Sequence, residues 1–154
     1  MAIGEICNRE VVIAQRETTV LEASRLMRQY HVGDLVVVDE TDGKRAPVGI
    51  VTDRDLVLEV VSMELDAAVL TVGDIMGLEL ATVRESDGVF ETIRYMRTKG
   101  VRRLPVVSSQ GALIGIVTLD DVLELLAEEM SELSQLISRE RRHEKQTRSV
   151  SVTA

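Results

Sequence analysis

The chain has 154 residues, 45% hydrophobic and 29% charged, the balance of a globular chain that can bury a core without disulfides rather than of a disordered one. No apolar run approaches the roughly 18 residues a bilayer span needs, and a net charge of −8 argues against a phosphate-tracking surface for nucleic acid. One Phe, two Tyr and no Trp make a stacking platform for single strands hard to build, and one cysteine with two histidines leaves neither an internal disulfide nor the usual Cys/His zinc site.

In chain order, Met-Ala-Ile-Gly-Glu-Ile lacks the basic-then-apolar layout of a secretory leader, so a cytoplasmic setting is expected. Ile3–Cys7 reads as a short helical turn leading into an extended stretch. Val20, Ala23, Met27 and Tyr30 recur near helical spacing and predict a helix. Leu35–Val38 is an apolar run that suits a strand buried on both faces. The segment Asp39 to Ala46, with its Asp and Gly, predicts a surface hairpin turn into a second strand, Val48–Val51. Thr52 then opens a second helix.

The same series then returns. A shift of 69 lays Ile3-Gly4-Glu5-Ile6 on Val72-Gly73-Asp74-Ile75, Arg25-Leu26-Met27-Arg28 on Arg94-Tyr95-Met96-Arg97, and Val37-Val38 on Val106-Val107. Past the hairpin the shift is 66, and Gly49-Ile50-Val51-Thr52 meets Gly115-Ile116-Val117-Thr118. Each copy reads β-α-β-β-α, which predicts an α/β protein of two repeats packed sheet to sheet with pseudo-two-fold symmetry, since about 60 residues alone bury too little. The expected boundaries are 1–65 and 66–128 for the repeats and 129–154 for an extension.

In that extension Leu123, Leu126, Met130, Leu133 and Ile137 form an apolar helical stripe that outruns the repeat. Its cover is either the body of the chain or a second copy of the helix. Beyond Arg139 the chain turns basic (Arg139, Arg141, Arg142, Lys145, Arg148) and is expected to fray as a solvated, partly disordered tail.

Two segments share the form Gly-apolar-apolar-Thr-x-x-Asp: Gly49 to Asp55 and Gly115 to Asp121. An N-cap Thr with an acid three residues on is a capping box, which needs no ligand. A threonine hydroxyl can also donate to a phosphate oxygen, and a carboxylate can accept from the two hydroxyls of a ribose. The same pair can therefore cap a helix or grip a nucleoside phosphate. No nucleophile–base pair is visible, so no enzymatic activity is expected. Cys7 reads as a core residue, His31 as structural, and Asp53-x-Asp55 as a solvated helix start rather than a metal pair.

These two segments, the strands Val32-Gly-Asp-Leu-Val-Val-Val38 and Val101-Arg-Arg-Leu-Pro-Val-Val107, and the paired helices resemble a tandem pair of CBS domains, a Bateman module, over about four fifths of the chain. The resemblance implies a regulatory sensor with no required cofactor, binding AMP, ADP, ATP, S-adenosylmethionine or NAD between the repeats. It also implies a homodimer and a protein partner whose identity it leaves open. Its implied sites are crossed, each taking the base on one repeat and the ribose and phosphate on the other. The first combines Thr18, Ala23, Val32, Gly33 and Asp34 with Thr118, Asp120 and Asp121. The second combines Val101, Arg102 and Arg103 with Thr52, Arg54 and Asp55. Asp87 stands where Thr18 stands in the first, and Arg54 with Arg102 or Arg103 would offset its charge. Asp120 replaces Arg54 in the first site, which favours a less charged ligand or a Mg²⁺ bridging a polyphosphate. The alternative reading of the same fold is a ligand-free scaffold for dimerisation or protein docking.

Overall fold

A computed structural model describes the backbone of residues 1–152 and the side chains of residues 1–148. The chain divides into two compact units, Met1–Thr118 and the helix beginning at Leu119. The first unit runs from a 3₁₀ turn at Ile3–Glu5 through β1 (Ile13–Ala14), α1 (Val20–Tyr30), β2 (Asp34–Thr41), β3 (Lys44–Thr52) and α2 (Asp53–Leu56), which continues as a π-turn over Val57–Val61. Then come α3 (Val72–Ile75), β4 (Val83–Arg84), α4 (Val89–Lys99), β5 (Arg103–Val107) and β6 (Leu113–Thr118). Each half carries a three-stranded sheet, β1-β2-β3 or β4-β5-β6, with the first pair parallel and the second antiparallel. The α/β class and the repeated β-α-β-β-α order match the expectation.

Local chemistry accounts for the element ends. Thr19 caps α1 in a capping box with Glu22, accepting the Glu22 N–H at 3.1 Å while the Glu22 carboxylate accepts the Thr19 N–H at 2.9 Å. The helices α1 and α4 both end on a left-handed residue, His31 (φ 53°) and Gly100 (φ 67°), one repeat apart. His31 is thus a helix cap, in keeping with its structural reading. The hairpin segment of the first half differs from its expected form. Its additional residues lengthen β2 and β3 to 8 and 9 residues, and the turn shrinks to Asp42 and Gly43, both with positive φ (53° and 76°). Asp-Gly is the dipeptide that a two-residue type I′ hairpin favours.

The core follows the strands. Leu35, Val37 and Val51 join Val20, Ala23 and Met27 of α1 in one buried cluster. The other face of the same sheet supplies Val36 and Val38, which pack with Ile116 of β6 in a second cluster. This second cluster unites the two sheets, and it explains why β2 carries four consecutive buried residues.

The segments that precede each sheet are exchanged between the halves. Ile3 and Gly4 donate to the carbonyls of Asp87 and Glu85, at 2.7 and 2.9 Å, and Asn8 exchanges two 2.9 Å bonds with Ile116. One shift of 69 later, Val72 and Gly73 donate to the carbonyls of Thr18 and Arg16, at 2.8 and 3.0 Å. Val72 is fully buried in the first half's core. Each half is therefore closed by backbone that precedes the other half's sheet.

The second unit is a single helix, α5 (Leu119–Val152), of 34 residues. The basic segment expected to fray is helical through Val152; Thr153 and Ala154 lie outside the described residues. The acidic-to-basic residues there are good helix formers and meet no Gly or Pro that would stop the helix. Leu123, Met130, Leu133 and Ile137 of its apolar stripe are more than half exposed. Among the described residues no helix is long and apolar enough to cross a membrane.

Candidate functional site

Three elements of the first unit converge on an open cleft of about 620 Å³, within the roughly 300–1,000 Å³ usual for small-molecule sites. The end of β3 and start of α2 supply Ile50, Thr52, Asp53 and Arg54. The approach to β5 supplies Gly100, Val101, Arg102 and Arg103. The stretch before β4 supplies Gly77, Glu79, Leu80 and Ala81. Five of the six residues expected for the second site, Thr52, Arg54, Val101, Arg102 and Arg103, line this one cleft. It crosses the halves, as that expectation requires.

The sixth, Asp55, does not line it. Its carboxylate accepts the Thr52 N–H at 2.8 Å, and its own N–H donates to the Thr52 hydroxyl at 3.1 Å. This is the reciprocal capping box, so Asp55 acts here as a cap. The Thr52 hydroxyl oxygen accepts in that box and keeps its proton for donation into the cleft. Asp53, read from sequence as a solvated helix start, is exposed and also lines the cleft. Its N–H donates to the Gly33 carbonyl at 3.0 Å, and a Cβ on Gly33 would stand 3.3 Å from its carboxylate. Gly33 therefore seats Asp53 without lining the cleft itself.

Charge in the cleft is mixed. Arg54, Arg102 and Arg103 share its lining with Asp53 and Glu79. Arg103 is ion-paired with Asp34, and both are partly buried. Chemically the cleft offers a small apolar wall (Ile50, Val101, Leu80, Ala81), a hydroxyl and guanidinium donors. That set suits an uncharged ring carrying an anionic group.

The residues expected for the first site are more dispersed. Val32 lines a second cleft, of about 720 Å³, with Asn8, Glu10, Val11 and Val12. A shift of 69 turns these five into Val101, Gly77, Glu79, Leu80 and Ala81 of the first cleft. Thr18, Ala23, Gly33 and Asp34 are absent from its lining. Ala23 is fully buried in the core, as is its counterpart Thr92, whose hydroxyl donates to the Gly88 carbonyl at 2.8 Å. Thr18 fixes a turn, its hydroxyl accepting the Gln15 N–H at 3.0 Å. Asp87 does the same with the Arg84 N–H at 2.9 Å. The Thr-to-Asp difference between the repeats is thus spent on turn geometry, and Asp87 does not line the cleft of Arg102 and Arg103. Thr118 ends β6 in the first unit, whereas Asp120 and Asp121 belong to the helical unit.

The residues that sequence reasoning missed lie before β4 and at Asp53. Glu79, Leu80 and Ala81 show no periodicity, and β4 is only two residues long. The available signal was the repeat register, since the stretch before either sheet occupies the same place in both clefts.

The family model for the CBS domain matches residues 3–62 and 72–128. An uncharacterized protein of Methanopyrus kandleri is 39% identical over 125 residues, which cover 81% of this chain and 62% of that protein. The crystal structure of an uncharacterized conserved protein from Pyrococcus horikoshii superposes with a TM-score of 0.70 at 31% identity, covering 80% of this chain and 90% of the other. A CBS domain pair crystallised with 5′-methylthioadenosine and S-adenosyl-L-methionine superposes with a TM-score of 0.72 at 22% identity, covering 84% and 98%, which establishes a shared fold.

Proposed function

The chain belongs to the CBS-domain family, and on that premise we propose that it is a regulatory module that binds an adenosine-bearing ligand in the cleft of Thr52, Arg54, Val101, Arg102 and Arg103. The observation that carries this reading is the meeting of Thr52 and Arg54 from one half with Val101, Arg102 and Arg103 from the other in a single cleft. The purine lies along Val101 and Ile50, where backbone groups rather than aromatic rings read its edge. The Thr52 hydroxyl and the Arg54 and Arg102 guanidinium groups take the phosphate. Asp55 supports the site indirectly, its capping box with Thr52 fixing the backbone that presents the Thr52 hydroxyl. The crystallised adenosine-ligand complex of a protein with this fold supports the ligand class.

Signalling follows from the same geometry. A ligand that touches both halves favours one relative arrangement of them in proportion to its difference in affinity, and a protein partner reads that arrangement. The working form is a homodimer in the cytoplasm, with no catalytic step and no resident cofactor. A Mg²⁺ ion accompanies the ligand only where the ligand is a polyphosphate. Native mass spectrometry of freshly purified protein, followed by calorimetric titration of AMP, ATP and S-adenosylmethionine, tests the reading. Binding that Thr52→Ala and Arg102→Ala each weaken by roughly tenfold or more supports it, since hydrogen bonds to charged groups are worth about 1.5–3 kcal/mol. Absence of binding to every adenosine compound leaves the ligand-free scaffold.

A further inference from the structure

Asp34 and Arg103 are the same position of the repeat, one shift of 69 apart. Each opens the middle strand of its sheet, opposite Thr52 in one half and Thr118 in the other. The fold brings these two equivalent positions into contact, and their side chains form an ion pair between the halves. A duplicated chain with identical residues here would oppose two like charges or two equal side chains. This chain resolves the contact with opposite charges, and that solution is asymmetric. Arg103 lines the cleft of Thr52 and Arg54, whereas Asp34 lines neither that cleft nor the one beside Val32.

We infer that Asp34 is a positioning residue that sets the anion affinity of the Thr52–Arg54–Arg103 cleft by holding and neutralising Arg103 from outside it. This rests on the proposed binding of an adenosine-bearing ligand there. The pair is partly buried, with side-chain exposures of 32% for Arg103 and 21% for Asp34, so its mutual attraction is screened less than that of a surface pair. A guanidinium has five donors in a planar fork, and the carboxylate takes the strongest acceptor role available to them while the cleft holds no anion. A phosphate entering the cleft must compete with Asp34 for Arg103 or share it. An uncharged nucleoside faces no such competition. Asp34 thereby penalises charged ligands selectively, and without it the cleft would hold three arginines against two carboxylates, Asp53 and Glu79, an excess of positive charge.

The experiment is a double-mutant cycle read by calorimetry on the full chain, with AMP and adenosine as the two probes. Asp34→Asn is expected to tighten AMP roughly tenfold and to change adenosine by less than about twofold. Arg103→Gln is expected to weaken AMP by a similar factor. In the Arg103→Gln background, Asp34→Asn should no longer alter the ratio of the two affinities. A merely structural ion pair would lower the thermal midpoint but shift both probes alike, and that result overturns the inference. So does an AMP effect of Asp34→Asn that survives in the Arg103→Gln background. Should Arg103→Gln fail to fold, Arg103→Lys keeps the charge and loses the fork, and weakened AMP binding with unchanged adenosine is then expected. Wild-type protein that binds neither probe removes the proposed function and this inference together. Wild-type protein that binds both, with a ratio Asp34→Asn leaves untouched, removes the inference alone.

Discussion

The two motif glycines show how one missing methyl group can carry an architecture. A Cβ at Gly115 would stand 2.6 Å from the carbonyl oxygen of Asn8 and 2.9 Å from the Cys7 sulfur. A Cβ at Gly49 would stand 2.5 Å from the Met76 sulfur. The first obstacle is backbone held by a pair of hydrogen bonds to Ile116; the second is a flexible side chain. Gly115→Ala is therefore expected to cost about 1–3 kcal/mol, and Gly49→Ala clearly less, because Met76 can change rotamer. Chemical denaturation of the two variants checks the order, and an equal loss would show that the close approach is not what selects glycine. From sequence these glycines were visible only as motif letters. Their reason lies in a segment more than a hundred residues away for Gly115, which no local pattern could announce.

At the scale of elements, legibility tracked the physics of each segment. The helices α1 and α4 have periodic apolar faces, and the spacing of Val20, Ala23, Met27 and Tyr30 marks α1 from end to end. The strands β2 and β5 announced themselves as apolar runs because both of their faces are buried. The hairpin of the first half reads from the sequence as a long turn, since Glu40, Thr41, Lys44 and Arg45 are polar and exposed, and an extended two-stranded arm leaves no hydrophobic trace. The candidate cleft was legible where a motif carries it, at Thr52 to Arg54, and where a strand begins, at Val101 to Arg103. It was illegible before β4, where irregular backbone places side chains without periodicity. The stripe on α5 is legible in the sequence, and Leu123, Met130, Leu133 and Ile137 are exposed along it. At 34 residues the helix extends about 50 Å, long enough for antiparallel or parallel pairing over several turns. If the homodimer proposed above pairs through this stripe, Leu133→Glu with Ile137→Glu converts it to monomer in sedimentation velocity. The thermal midpoint of the remaining fold should barely move, because both residues are exposed. A dimer that persists in that variant places the interface elsewhere.

For the whole molecule, the clefts and the exchanged segments are parts of one arrangement. The cleft takes Thr52 and Arg54 from one sheet's edge and Gly77, Glu79, Leu80 and Ala81 from the stretch that follows α3, whose Val72 and Gly73 are bonded to the first half. A ligand there would hold together backbone that the exchange already ties. Saturation at about 100 times Kd should then raise stability by roughly 2.7 kcal/mol, seen as a thermal shift with AMP that is absent with inorganic phosphate at the same concentration. Deleting residues 1–8 should do the reverse. It removes the bonds to Glu85, Asp87 and Ile116 and the fully buried Ile3, with a loss of several kcal/mol expected from the buried side chain and its hydrogen bonds. The amides of the second half should lose hydrogen-exchange protection before those of the first.

The exchange also bears on how the protein is born. Asn8 leaves the ribosome long before Ile116, and at about 5–20 residues per second the interval between them is roughly 5–20 s. Through that time the Asn8 segment lacks the strand it pairs with, because that strand has yet to be translated. Completion must therefore wait until synthesis has passed β6, and a message stalled midway would yield a half-protein with an unprotected sheet, open to capture by chaperones or by the matching half of a neighbour.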